Sequence, residues 1–182
     1  MRTAEHPSTV SSTGEPSETA PKQRHLSIDE RRVVLCSIAS DAHSWNLVYV
    51  QLLLEELGYH VNNLGPCTPE ALVVDECVRT RPGLLVVSTV NGHGRIEGQR
   101  LARALRRHPR LHHLPMVIGG KLGVDGVSTP MLQRLIDAGF DAVFDDSRTD
   151  LSEFTELVAR LTRPVADVPP RDNRLTPAAT GR

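Results

Sequence analysis

Short apolar runs alternate with longer amphipathic stretches along the middle of this chain. The runs at residues 33–38, 60–64, 84–88, 115–118 and 141–144 predict five strands. The stretches between them carry apolar positions three and four apart and predict helices over about 45–57, 96–107 and 151–161. Two further helices open at Thr68-Pro69-Glu70 and at Thr129-Pro130, the second ending at Gly139. Gly58 is a good residue to end the first helix. Thr68 is expected to cap the second helix through its hydroxyl, with Pro69 in the first turn and Glu70 at the positive end of the dipole. On the third helix Leu101 and Leu105 should face the sheet, with Arg100, Arg103, Arg106 and Arg107 forming a basic outer side.

Strand and helix in strict alternation imply an α/β domain with a parallel sheet and helices on both faces. The expected fold is a doubly wound, five-stranded parallel sheet in a flavodoxin-like (Rossmann-like) order. Ligands of such sheets bind beyond the carboxyl ends of the strands, near the point where strand order switches. The loops after strands one, three and four fall there. Residues 31–163 are expected to form the one folded domain. Residues 1–30 are rich in Ser, Thr, Pro, Glu and Lys, and residues 164–182 carry several prolines without apolar periodicity. Neither tail has the apolar content to offset its ordering entropy, so both are expected to be disordered. No internal repeat is present.

Composition narrows the function. The chain has 182 residues and a net charge of -1, which argues against general nucleic-acid binding. Its apolar runs are far shorter than the ~20 residues of a membrane span, and the N-terminal stretch has no apolar signal-peptide core. Cys36, Cys67 and Cys77 form no CxxC pair and read as reduced thiols of a cytoplasmic protein.

The chemistry concentrates in Ser40-Asp41-Ala42-His43-Ser44-Trp45-Asn46, between the first strand and the first helix. His43 is a candidate metal ligand, because a carboxylate two residues earlier can fix its tautomer and raise its basicity. The alternative is a surface histidine with Asp41 merely capping the helix. No other His or Cys spacing completes a tetrahedral zinc site. A lone protein ligand would serve a metal already held by something else, a condition that a macrocycle meets. Ser88 ends a buried strand and can bond either a ligand or its own loop. Gly92, Gly94, Gly119 and Gly120 permit close backbone approach, yet match neither a dinucleotide fingerprint nor a P-loop. His93 is either a general acid, a partner contact or an ordinary loop histidine. His112-His113 reads as solvated loop, and Cys67 has no clear base beside it.

These segments together resemble the cobalamin-binding domain with its DxHxxG…SxL…GG signature. The likeness is closest to the small (sigma) subunit of glutamate mutase, also called methylaspartate mutase. It rests on Ser40-Asp41-Ala42-His43, then Val61-Asn62-Asn63-Leu64-Gly65 with Pro69-Glu70, then Val87-Ser88-Thr89-Val90-Asn91-Gly92-His93-Gly94, and Ile118-Gly119-Gly120, in order over about residues 32–163. The resemblance implies adenosylcobalamin as cofactor, with His43 the lower axial cobalt ligand in place of the cofactor's own base and Asp41 its orienting carboxylate. Ser40, Ala42, Ser44 and Asn46 would flank that ligand. Ser88, Thr89, Val90, Gly119, Gly120, Lys121, Leu122 and Gly123 would line the pocket for the displaced nucleotide tail. The implied reaction is the radical interconversion of L-glutamate and threo-3-methylaspartate. The implied partner is a large, epsilon-type barrel subunit sharing the small-molecule substrate at the interface, so this isomerase subunit would carry no catalytic residue beyond His43.

Two positions depart from the signature. Asn46 stands where glycine is usual, and Val90 where leucine is usual. Asn46 is expected to be a working variant, because Asp41, His43, Ser88 and the glycine pair are all in place. Competing expectations are a corrinoid methyl carrier, a cobalamin or light sensor, and a cofactor-free regulatory module. The first two commonly carry a helical cap before the fold, where this chain has a low-complexity tail. A receiver-type module would need an acidic cluster at strand one and a lysine after strand five, where Asp145-Asp146 lies instead.

Overall fold

The structure, a computed structural model, describes residues 31–124, 128–145 and 151–162. The expected tails at 1–30 and 164–182 lie outside the described residues. Five strands, β1 (Arg32–Cys36), β2 (His60–Asn63), β3 (Leu84–Thr89), β4 (Met116–Gly120) and β5 (Ala142–Asp145), alternate with helices α1 (Trp45–Glu56), α2 (Glu70–Thr80), α3 (Gly94–Arg107), α4 (Thr129–Ala138) and α5 (Leu151–Leu161). The sheet is wholly parallel in the order β2-β1-β3-β4-β5. This is the expected flavodoxin-like α/β fold. Its switch point lies between β1 and β3.

Strand β3 is buried at all six positions, as a central strand covered on both faces must be. Alternation along the strands divides the core in two. Val34, Cys36, Leu85, Val87 and Ile118 pack under α2, α3 and α4, meeting Val73, Cys77, Leu101, Leu105 and Leu135. Val33, Leu35, Leu84, Val86 and Val117 pack on the other face with Leu47 and Leu54 of α1 and Val158 of α5. Each such side chain fully buried contributes about 1.5–3 kcal/mol. Tyr59 ties the α1 side to the end of α5 through a 2.9 Å hydrogen bond to Thr162.

Helix α1 is apolar on nearly every side. It buries Asn46, Leu47 and Leu54, yet Trp45, Val48, Tyr49 and Leu52 face outward at 52–63% exposure. These four recur at helical spacing and form one continuous outer stripe beginning two residues after His43.

Three local expectations need correction. Thr68 does not cap α2: its hydroxyl donates to the Gly65 carbonyl at 2.6 Å, and Pro69 occupies the cap position in an extended conformation. Arg106 is no simple outer charge. Its guanidinium donates to the Leu114 and His112 carbonyls, to the Gly139 carbonyl and to Asp141, and Asp141 also accepts the Met116 N–H. The arginine thus fastens the starts of β4 and β5. Finally, β4 extends through Gly119 and Gly120, which pair with Ser88 and Thr89 on one side and with Phe144 and Asp145 on the other. The glycine pair belongs to the sheet rather than to the loop beyond it.

Candidate functional site

Asp41 is the centre of the arrangement at the carboxyl edge of β1 and β3. The chain leaves β1 and turns through the hydrogen bond from Asp41 N–H to the Ile38 carbonyl, and the Asp41 carbonyl accepts the Cys67 N–H. The side chain is fully buried. One oxygen, Oδ1, accepts the His43 backbone N–H at 3.1 Å and the His43 Nδ1–H at 2.6 Å. The other, Oδ2, accepts the Thr89 hydroxyl at 2.6 Å and the Val90 N–H at 2.7 Å. Burial alone would raise this carboxyl, but the bonds from Thr89, Val90 and His43 outweigh it and lower its pKa to about 2. An ionised carboxylate can only accept, so His43 carries its proton on Nδ1. The lone pair therefore sits on Nε2. The histidine side chain is half exposed.

Neighbouring polar groups stiffen the loop. The Asn91 amide donates to the Ser40 hydroxyl at 3.0 Å, while Asn91 Oδ1 accepts the His93 N–H at 2.9 Å. The Ser40 N–H donates to Glu97 of α3 at 3.2 Å. Ala42 and Ser44 are exposed. Asn91 and Glu97 had no distinguishing spacing in the sequence, since their partners lie on other elements.

A second polar group lies on the α1 face of the sheet. Ser88 projects there, by alternation with Leu84 and Val86. Its hydroxyl accepts the Asn46 amide at 2.9 Å, and both side chains are buried, Asn46 at 4% exposure. The other end of that amide, Oδ1, has no hydrogen-bond partner among the described residues. The same is true of the Ser37 hydroxyl, fully buried just beyond β1 and on the α1 face by alternation with Val33 and Leu35. Ser37 escaped the sequence reading; its only signal is a hydroxyl inside the apolar run Cys36-Ser37-Ile38. Beside Ser88 in register is Gly119, packed closely on β5: a Cβ there would lie 3.2 Å from that of Phe144.

Gly120 closes the site's edge. It has φ +101, and a Cβ would fall 2.2 Å from the Thr89 carbonyl oxygen, so only glycine fits. Beyond it Lys121 is exposed, Leu122 is buried in the core under α3, and Gly123 borders a cleft of about 590 Å³ with His93, Arg95, Val124 and Arg134. The structure thus brings Asp41, His43, Asn46, Ser88, Thr89, Val90, Gly119 and Gly120 to one sheet edge. It turns Leu122 and Gly123 toward α3, away from Ser88. Cys36 and Cys77 are buried, which raises both thiols, Cys77 to about 12, while Cys67 is exposed. Among the described residues, no group of three or more His, Cys, Asp or Glu converges to hold a metal ion, and no helix is long and apolar enough to cross a membrane.

The fold is that of a flavodoxin-like α/β domain also seen in corrinoid proteins. A cobalamin-binding protein from Desulfitobacterium hafniense superposes with a TM-score of 0.58 at 23% identity, over 71% of this chain and 58% of that one. The monomethylamine corrinoid protein of Methanosarcina barkeri gives 0.57 at 19%, over 73% and 60%. The chain thus spans about three-fifths of each. A putative response regulator from Chloroflexus aurantiacus gives 0.54 at 16%, over 71% and 96%, so these likenesses establish the fold alone. No family model matches the chain. In sequence it is similar to glutamate mutase sigma subunits. It is 24% identical to that of Fusobacterium nucleatum over 116 residues, 63% of this chain and 85% of the relative. It is 29% identical to sigma subunit 2 of Haloarcula marismortui over 129 residues, 70% and 85%, and 28% identical to the subunit of Carboxydothermus hydrogenoformans over 116 residues, 63% and 84%.

Proposed function

We propose that this chain is the cobalamin-binding small subunit of an adenosylcobalamin-dependent glutamate mutase, interconverting L-glutamate and threo-3-methylaspartate together with a large barrel subunit. The observation that carries the reading is the Asp41–His43 pair at the switch point of the sheet. A buried, ionised carboxylate holds the proton on Nδ1 and leaves Nε2 of the half-exposed ring as the donor atom. No further ligands converge on it among the described residues, which suits a metal whose other ligands come from a macrocycle.

The residues present fit the rest of the cofactor. The Asn46 side chain and the Ser88 hydroxyl it bonds, with oxygens of Asn46 and Ser37 unpartnered among the described residues, lie on the α1 side of the sheet, where the displaced nucleotide tail would be held. Adenosylcobalamin, when bound, supplies the radical chemistry of the carbon-skeleton rearrangement. The chain's own part is to bind and orient it: His43 through Nε2, Asp41 by fixing that ring, Thr89 and Val90 by fixing Asp41. The outward apolar stripe of α1, which starts beside His43, supports a partner covering the same edge. Three free cysteines support a reducing, cytoplasmic setting.

The test is paramagnetic resonance of the cobalt(II) cobalamin complex with nitrogen-15-labelled protein. The parent chain should show coupling to a protein nitrogen, and His43→Gly should lose it. Coupling that persists in the variant overturns the assignment. Glutamate should give 3-methylaspartate only with the large subunit and adenosylcobalamin added; turnover by the chain alone overturns the division of labour.

A further inference from the structure

A cleft of about 440 Å³ opens at the amino edge of the sheet, between the turn that ends α2 and the loop that joins α3 to β4. Gly83 and Pro115, which lead into β3 and β4, both line it. The six residues of β3, about 20 Å of strand, separate it from the edge that holds Asp41 and His43. Its base is apolar: Leu111 and Leu114 are buried in the core under α3, and Val78 packs on the same core. Its rim is cationic. The exposed Arg81, Arg110 and His113 line it, and no acid does. Arg79, Arg100 and Arg106 on the neighbouring helices each face a carboxylate. The side chains of Arg81 and Arg110 have no hydrogen bond or ion pair among the described residues.

Both walls are held in place. The Arg106 guanidinium donates to the His112 and Leu114 carbonyls. The Leu111 N–H donates to the His108 carbonyl at 3.0 Å, and the Leu114 N–H to the Leu111 carbonyl at 2.9 Å. The loop that carries Arg110 and His113 is thus pinned from within and from α3. On the other wall Arg81 ends α2 in the left-handed region, with φ 47 and ψ 60. Pro82 disfavours a helical residue before it, so the chain must leave the helix there. Glycine makes that turn without steric penalty. An arginine bears the penalty and sets a cation at the mouth of the cleft.

We propose that this cleft is a ligand site for a small organic anion, a carboxylate or phosphate carried on an apolar body. Its volume falls in the range of small-molecule sites, ~300–1,000 Å³, which likewise combine an apolar lining with a few converging polar groups. Val78, Leu111 and Leu114 take the body. The planar guanidinium forks of Arg81 and Arg110 take the anion, each able to bond two of its oxygens. An uncharged apolar ligand would leave both arginines unused, and a bare inorganic ion would leave the apolar base in water.

The probe is 1-naphthyl phosphate, titrated into the nitrogen-15-labelled full chain and followed by amide shifts in two-dimensional NMR. Saturable shifts should appear at residues 78–83 and 110–114, around the cleft. Neutral 1-naphthol and inorganic phosphate, each lacking one half of the ligand, should bind at least about tenfold more weakly. 1-Naphthoate in place of the phosphate identifies the head group, and tighter binding of either one supports the site. Arg110→Gln and Arg81→Gly should each weaken binding about tenfold. Arg81→Gly should unfold at no lower denaturant concentration than the parent, since glycine relieves the left-handed turn, so its loss of binding is not a loss of fold. Arg103→Gln removes a charge from α3 where the side chain bonds Gln99, and should leave affinity unchanged. The proposal is overturned by an absence of saturable shifts, or by shifts centred on the outer stripe of α1 instead. It is equally overturned if 1-naphthol or inorganic phosphate binds as tightly as the ester, or if affinity is unchanged in both Arg81→Gly and Arg110→Gln.

Discussion

The Thr89 hydroxyl donates to Asp41 Oδ2 at 2.6 Å across a separation of 48 residues. This bond joins the end of the central strand to the loop that carries His43. It leaves the opposite oxygen of the carboxylate free for the histidine ring, so the ring's direction is set by the sheet rather than by the loop. A short loop alone would let the ring turn; the strand end holds it.

Removing that donor separates the carboxylate's two tasks. Thr89→Val keeps the shape and loses the hydroxyl, leaving Asp41 Oδ2 with only the Val90 N–H. We expect a stability loss of about 1.5–3 kcal/mol, typical of a hydrogen bond to a charged group, measured by denaturant unfolding. Asp41→Asn should in addition weaken cobalamin binding on the order of 10–100-fold, as second-sphere partners of a metal-bound histidine usually do. Titration of Trp45 fluorescence with cobalamin measures it. Unchanged affinity in Asp41→Asn would separate the carboxylate from the histidine's role.

Asp41 also makes the chain sensitive to acid. Its pKa falls from 3.8 to about 2 on folding. A lowered folded-state value means that the ionised form stabilises the fold above about pH 4, and that this contribution drains away as pH falls through about 2. The amount is on the order of 2 kcal/mol. Thermal unfolding of the cofactor-free chain between pH 5 and pH 2 should show a decline that is smaller in Asp41→Asn. Parallel profiles for the two proteins would contradict it.

Gly120→Ala should be among the costlier single-methyl additions. The added carbon meets the Thr89 carbonyl oxygen at 2.2 Å in a backbone conformation of φ +101. Gly65→Ala is the control, since Gly65 has φ +85 but no atom within 4 Å of its would-be Cβ. The control isolates the conformational penalty, about 1 kcal/mol. Gly120→Ala should exceed it by at least ~2 kcal/mol in denaturant unfolding and lower cobalamin affinity by displacing Thr89. Equal losses in the two variants would show that β3 and β4 can part at no cost.

The alternation of strands and helices was legible because the buried strands are apolar on both faces and because Gly58, Pro69, Pro130 and Gly139 punctuate the helices. Asp41 and His43 were legible because their partnership is local, two residues apart. The partners that complete the site were not: Thr89 and Val90 reach Asp41 through the packing of β1 against β3, which no short-range spacing encodes. Gly119 and Gly120 looked like loop because glycine is a poor strand residue. Pairing with β3 and β5 on both sides overrides that weak preference. Ser37 was hidden in an apolar run, and the all-round apolarity of α1 gave no way to tell its outward stripe from its buried one.

Ser88 and Thr89 are adjacent, yet they serve opposite sides of the sheet. Ser88 meets Asn46 on the α1 side, while Thr89 meets Asp41 and packs near Gly94 on the α3 side. The division of labour is therefore a matter of odd and even positions. A single-residue insertion or deletion within β3 would swap the two hydroxyls between faces, depriving histidine support and tail pocket together. A two-residue change would restore the sides but move both groups about 6.6 Å along the strand. Length variation among natural or engineered versions of this chain should accordingly spare the interior of β3 and collect in the turns at the far edge of the sheet.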